Sequence, residues 1–148
     1  MHLKKVTAVV SATSSLLLGG VIAAPAAHAG AYGCAGNQVY SATVYGNLGN
    51  SWQGKKIGNV YTYFDGTYNC TVFVKAVYVG TKTYTAVDIS NQRNDTTQPF
   101  GGDRGNYASY AGPVKIDGRN TCVSEYAYAE DTNGTAMASW SPGWHSCG

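Results

Sequence analysis

Tyr63-Phe64-Asp65-Gly66-Thr67-Tyr68 decides the fold class of this chain. Asp-Gly between two aromatic and β-branched runs is a hairpin tip, because both residues accept the positive φ that matches strand twist. A two-residue turn sets Phe64 opposite Thr67, Tyr63 opposite Tyr68 and Tyr61 opposite Cys70. A half-cystine is usually buried. The face carrying Cys70, Val72, Val74 and Ala76 is therefore expected to be the inner one, with Tyr61, Tyr63 and Tyr68 beside it.

Working outward, strand-like segments recur at short intervals, separated by Gly, Asn and Asp. They fall near Val39 to Tyr45, Asn59 to Phe64, Thr67 to Val79, Lys82 to Ile89, Tyr107 to Ala111, Val114 to Ile116, Cys122 to Ala129 and Thr135 to Trp140. No fixed repeat is visible. The spacing predicts an all-β chain, a small antiparallel sandwich or barrel. In the last strands, the half-cystine rule turns Cys122, Ser124, Tyr126 and Tyr128 inward and leaves Glu125 on the wet face. Asp117-Gly118 reads as a second hairpin tip, with a three-residue bulged loop to correct the parity of Val114 and Ile116.

Length and charge depend on the first 29 residues. Met1-His2-Leu3-Lys4-Lys5 is a short basic start, Val6 to Ala24 is apolar without an acidic group, and Ala27-His28-Ala29 supplies the small residues of a cleavage site. Residues 1–29 are expected to be a secretory signal peptide and residues 30–148 a single all-β domain. Removing Lys4 and Lys5 takes Lys+Arg from 10 to 8 against 8 Asp+Glu, so the net charge of +2 becomes zero. A neutral chain is not a nucleic-acid binder driven by bulk charge. No later stretch is long and apolar enough to span a bilayer, so no membrane partner is expected after cleavage.

The exported part keeps one histidine, His145, one leucine, Leu48, and all 12 tyrosines. Such a composition suits pleated surfaces rather than helices. Cys34, Cys70, Cys122 and Cys147 make an even set in an oxidising compartment and read as two disulfides. The pairing Cys34 to Cys70 and Cys122 to Cys147 closes one loop in each half of the chain.

Catalytic and metal chemistry find little support. A lone His145 in Trp144-His145-Ser146-Cys147 sits near the terminus and reads as structural or exposed. Asp95, Asp103, Glu125, Glu130 and Asp131 are scattered over loops and wet faces, with nothing to fix a carboxylate pair. Asp131-Thr132-Asn133-Gly134 begins like a calcium loop but lacks the distal Glu and reads as a turn. No catalytic residue, metal or cofactor is expected.

Two features suggest binding. On the strand from Lys82 to Ile89, Thr83, Thr85, Val87 and Ile89 are expected to point in and Lys82, Tyr84, Ala86 and Asp88 out. Phe73, Val77, Val79 and Tyr84 then lie away from the cysteine-bearing face and form a candidate apolar patch. Ser90 to Asn106, 17 polar and Gly-containing residues, is long for a connection and makes a candidate binding loop through Arg93, Phe100, Asp103 and Arg104.

Asn106-Tyr107-Ala108-Ser109-Tyr110-Ala111-Gly112-Pro113-Val114, followed by Cys122-Val123, resembles the Tyr-x-Ser-Tyr-Ala-Gly-Pro-Val segment and following Cys-Val of the spore-associated protein A family. Gly33-Cys34-Ala35-Gly36, Asn69-Cys70-Thr71-Val72 and a cysteine one residue from the end match as well. After Cys122-Val123 the chain departs from the family's Trp-Gly-rich stretch with Ser124-Glu125-Tyr126-Ala127-Tyr128. The resemblance implies a small secreted protein of actinobacteria, recovered with spores and aerial growth and without an assigned enzymatic activity or cofactor. The chain is accordingly expected to be non-enzymatic and associated with the spore or cell surface. Its partner would be the spore or cell-wall surface, as polysaccharide or as a secreted protein. A small inhibitor of a secreted hydrolase, and a carbohydrate- or cell-wall-binding module using the Trp and Tyr residues, are the alternatives.

Overall fold

The computed structural model describes residues 30–93 and 102–148. The signal-peptide reading and Phe100 of the candidate loop lie outside them. Among the described residues eight strands form, β1 (Asn37–Tyr45), β2 (Lys56–Phe64), β3 (Tyr68–Lys75), β4 (Thr83–Asn91), β5 (Asp103–Tyr107), β6 (Tyr110–Asp117), β7 (Val123–Glu130) and β8 (Ala136–Trp140). They make two four-stranded antiparallel sheets in the orders β1-β2-β3-β6 and β5-β4-β7-β8. The fold is an all-β sandwich. Its core holds Val44, Ile57, Val60, Phe73, Val87 and Ile89 among other buried apolar side chains.

The hairpin at Asp65 is two residues longer than the sequence suggests. Phe64 pairs with Asn69 and Tyr63 with Cys70, because Asp65 Oδ1 accepts the N–H groups of Thr67 and Tyr68 at 2.9 and 2.7 Å and closes a wider loop. A slip of two keeps every side chain on its face. Those backbone bonds, Tyr68's foremost, hold the Asp65 carboxyl below its ordinary value.

The inner face is where the expectation fails. Phe73, Thr71, Thr62 and Val60 point between the sheets, while Cys70, Val72 and Tyr63 form a separate buried cluster with Cys34 on the outer side of the first sheet. Cys70 is buried because residues 30–36 fold over that side. The disulfide Cys34–Cys70 anchors them, and Tyr32 lies on Tyr61 and Tyr110 at centroid distances of 6.2 and 5.3 Å. Gly36 permits the approach: its φ is +88°, and a Cβ there would run into the Phe64 carbonyl. Tyr68, expected inside, is exposed.

The same inversion holds in β7. Val123, Glu125, Ala127 and Ala129 are buried toward the core and Ser124, Tyr126 and Tyr128 face outward, the reverse of the half-cystine reading. Cys122 precedes the strand and pairs with Cys147. Asp117-Gly118 is not a hairpin tip. It lies where the chain crosses from β6 in one sheet to β7 in the other, and Arg93 and Arg119 hold its Asp117 carboxylate at 3.0 and 2.5 Å.

Lys75 also turns inward. Its ammonium is buried and donates to the carbonyls of Thr81 and Tyr107 and to Thr83 Oγ1, all within 2.9 Å, tying β3 to the start of β4 and the end of β5. Burial lowers its pKa.

Candidate binding face and the carboxyl beneath it

β4 alternates as the sequence suggests, with Thr83, Thr85, Val87 and Ile89 inward and Tyr84, Asp88 and Ser90 outward. The register lays these beside the outward residues of β7 and β5. Ser90 pairs with Ser124, Asp88 with Tyr126, Ala86 with Tyr128 and Arg104, and Tyr84 with Asn106. Ser139 of β8 stands opposite Tyr128. The outer face of the second sheet is thus a field of three tyrosines, several hydroxyls and one ion pair.

Each tyrosine is held. Tyr128 Oη donates to Glu130 Oε1 at 2.8 Å, and Tyr126 Oη lies 3.2 Å from Ser139 Oγ. Tyr84 meets Tyr128 edge to face, centroids 6.0 Å apart and planes 73° apart, a favoured aromatic geometry. Burial first, then the Glu130 carboxyl, pushes the Tyr128 phenol up to about 12. Arg104 Nη2 bonds Asp88 Oδ2 at 2.8 Å, and that hydrogen bond raises the guanidinium further. Between Arg104, Asp88, Ser90, Tyr126 and Ser141 runs an open groove of about 270 Å³.

Beneath this face, Glu125 reaches the core. Its side chain is fully buried. Thr62 Oγ1 donates to its Oε1 at 2.5 Å, and Thr71 Oγ1 lies 2.8 Å from Thr62 Oγ1. The other oxygen bonds His145 Nε2. Reciprocal backbone bonds of 2.8 Å between His145 and Val123 bring the terminal segment alongside β7, and Tyr40 stacks on the imidazole with centroids 3.7 Å apart. Burial, then the Glu125 charge, raises the Tyr40 phenol. The Nδ1 of His145 lies 2.9 Å from Ser146 Oγ.

The candidate patch does not assemble. Phe73 is wholly buried in the core and Val77 packs against it, whereas Val79 is exposed in the turn before β4. Only Tyr84 reaches the outer face, because β3 ends at Lys75 and the parity carried forward from Cys70 is inverted there. The candidate loop is also divided. Asp103 and Arg104 belong to β5. Asp103 turns to the sandwich edge, bonding the Tyr107 hydroxyl and the Gly112 N–H, and raises the Tyr107 phenol through that bond. Arg93 is spent on the Asp117 carbonyl and carboxylate.

Glu125 and His145, paired here, were separated by the half-cystine rule. The signal for them lay in the alternation itself, since Val123, Ala127 and Ala129 share the parity of Glu125 while Ser124, Tyr126 and Tyr128 share the other. Asp131 forms the expected turn, accepting the N–H groups of Asn133 and Thr135, and Trp52 Nε1 donates to it at 3.3 Å. No group of three or more metal-ligating side chains occurs among the described residues.

No protein-family model and no solved structure matches the chain. Spore-associated protein A of Streptomyces coelicolor is 32% identical over 123 residues, which cover 82% of this chain and 77% of that one. The segment Asn106 to Val114 that carries the resemblance spans the corner between β5 and β6, where Asp103 fastens Tyr107 and Gly112. At this identity and coverage, the chain belongs to the spore-associated protein A family.

Proposed function

We propose that the protein is a secreted, non-enzymatic β-sandwich that associates with the spore or cell surface through the outer face of its second sheet. The observation that carries this reading is that the two outer faces differ. Residues 30–36 are pinned over the first by Cys34–Cys70, while Tyr84, Asp88, Arg104 and Ser90 of the second remain open to solvent or partly so. Exposed polar and aromatic side chains clustered on a rigid sheet suit recognition.

Ser146, His145 and Glu125 form a chain of hydrogen bonds in the order a serine hydrolase uses. The non-enzymatic reading takes it as structural. A fully buried carboxyl needs donors, Thr62 and His145 supply them, and Ser146 is simply the next residue along.

The test is partition of tagged mature chain between washed spores or hyphae and the supernatant. Retention is expected, with loss in Tyr84→Ser and Tyr126→Ser and no change in Tyr45→Ser on the first sheet. A chain that stays in the supernatant overturns surface association. Ester or peptide hydrolysis that disappears in Ser146→Ala overturns the non-enzymatic reading.

A further inference from the structure

Resting on that reading, we infer that the groove on the outer face of the second sheet binds a single chain of a neutral, hydroxyl-rich polysaccharide. Three properties of the groove select this ligand. Among the described residues its only lining cation, Arg104, is matched by Asp88 at 2.8 Å, so the groove offers no net positive field to a phosphate- or carboxylate-rich polymer. The half-exposed guanidinium instead presents its remaining N–H donors beside Asp88 Oδ2, Oδ1 being buried, and donors next to an acceptor suit adjacent sugar hydroxyls that each donate and accept. Ser90 and Ser124, paired across β4 and β7, and Ser141 add hydroxyls along the same groove.

The aromatic part fixes the shape of the ligand. Tyr126 and Tyr128 lie two residues apart on one strand, about 6.6 to 6.8 Å along it, so their rings face successive positions of an extended chain. Tyr84 and Tyr128 stand 73° apart. The aromatic surface beside the groove is therefore not a flat plane, and it fits one hydrated chain better than a crystalline polymer face. The phenols of Tyr126 and Tyr128 are tied to Ser139 and Glu130, so the rings are ordered before binding, which lowers its entropic cost.

The test uses the folded mature protein with both disulfides and two uncharged probes, N-acetylglucosamine hexamer and hydroxyethylcellulose, in titration calorimetry and affinity electrophoresis. Carboxymethylcellulose serves as the anionic counterpart. Binding to at least one neutral probe is expected, weaker binding to the anionic one, and a loss of about tenfold or more in Arg104→Ala and Tyr126→Ala. Tyr45→Ala should bind as the wild type does. Arg104 is half exposed, so its variant keeps the experiment decisive if Tyr126→Ala fails to fold. No binding to either neutral probe, or binding that both face variants leave intact, overturns the inference. A protein that stays on spores through this face yet ignores both glycans sinks the ligand assignment alone. One that binds a glycan but not spores supports the ligand assignment and sinks surface association.

Discussion

Replacing His145 with Ala removes one of the three side-chain partners of the fully buried Glu125 carboxyl, the others being Thr62 and the more distant Thr71. The magnitude follows from what the imidazole touches. Its bond to a buried acidic group is worth roughly 1.5 to 3 kcal/mol, and stacking on Tyr40 at 3.7 Å about 0.5 to 1.5 kcal/mol. Together these come to about 2 to 4.5 kcal/mol, overlapping the roughly 3 to 5 kcal/mol typical of breaking a buried pair. For a domain of this size that is on the order of 10 to 20 °C in Tm. Urea unfolding followed by tryptophan fluorescence measures it, and Glu125→Gln with the double variant completes a cycle. The coupling between the two sites should be about 1 to 3 kcal/mol, within the range of directly bonded residues. A cost for His145→Ala below about 1 kcal/mol, or a coupling near zero, would refute the claim that the terminal segment is held by this pair.

Gly58→Ala should destabilise by about 1 to 3 kcal/mol, since the new Cβ would sit 2.5 Å from the Phe73 ring and overpack the core; an unchanged midpoint in urea would show that β2 and β3 can separate there. Cys122→Ala with Cys147→Ala opens a loop of 25 residues and should cost about 3 to 4 kcal/mol, read as a fall in the urea midpoint, while equal midpoints would contradict it. The Tyr128 phenol is raised from 10.0 to about 12 by burial and by Glu130, so its contribution to stability is complete below pH 10 and is lost as pH rises toward 12. Ultraviolet difference titration should show the most alkaline phenol step vanish in Tyr128→Phe; a step that survives the substitution belongs to another tyrosine.

Most strand positions were legible because they follow from composition and turn chemistry, but the two segments expected from Tyr107 to Ala111 and from Val114 to Ile116 are largely one strand, β6. β4 was read with the right parity, since Thr83, Thr85, Val87 and Ile89 alternate with Tyr84, Asp88 and Ser90, broken only by the small, buried Ala86. The disulfide pairing followed from loop closure within each half. Face assignment failed in β3 and β7 for one physical reason: a half-cystine reports burial without saying under what. Cys70 is covered by residues 30–36, and Cys122 is tied to the terminal segment rather than to the opposite sheet. No short-range pattern announces that a segment preceding the first strand will fold over an outer face, and the candidate patch built on that parity dissolved with it. Arg104 was singled out as a loop residue and is a strand residue, because β5 begins within the polar stretch and its pairing with β4 depends on contacts 16 or more residues apart.

Thr62, Thr71, Glu125 and His145 place a polar cluster where apolar residues would pack, and a last prediction separates its two possible roles. A buried hydrogen-bonded pair often contributes no more than well-packed apolar residues of similar volume, because desolvation offsets attraction. The combined variant Thr62→Val, Thr71→Val, Glu125→Met and His145→Phe keeps approximate shape and leaves no orphaned polar group, and Phe can still stack on Tyr40. Its stability should equal the wild type's or exceed it by about 1 to 4 kcal/mol, although His145→Ala alone is strongly destabilising. That contrast would mean the cluster selects the docking position of the terminal segment, since only one register brings the imidazole to the carboxyl. Amide exchange at Val123 and His145, whose backbone groups bond each other at 2.8 Å, then decides the matter. Faster exchange there at undiminished global stability supports a positioning role. A combined variant less stable than wild type by more than about 2 kcal/mol, beyond the cost of ordinary repacking, would show that the cluster carries net stability instead.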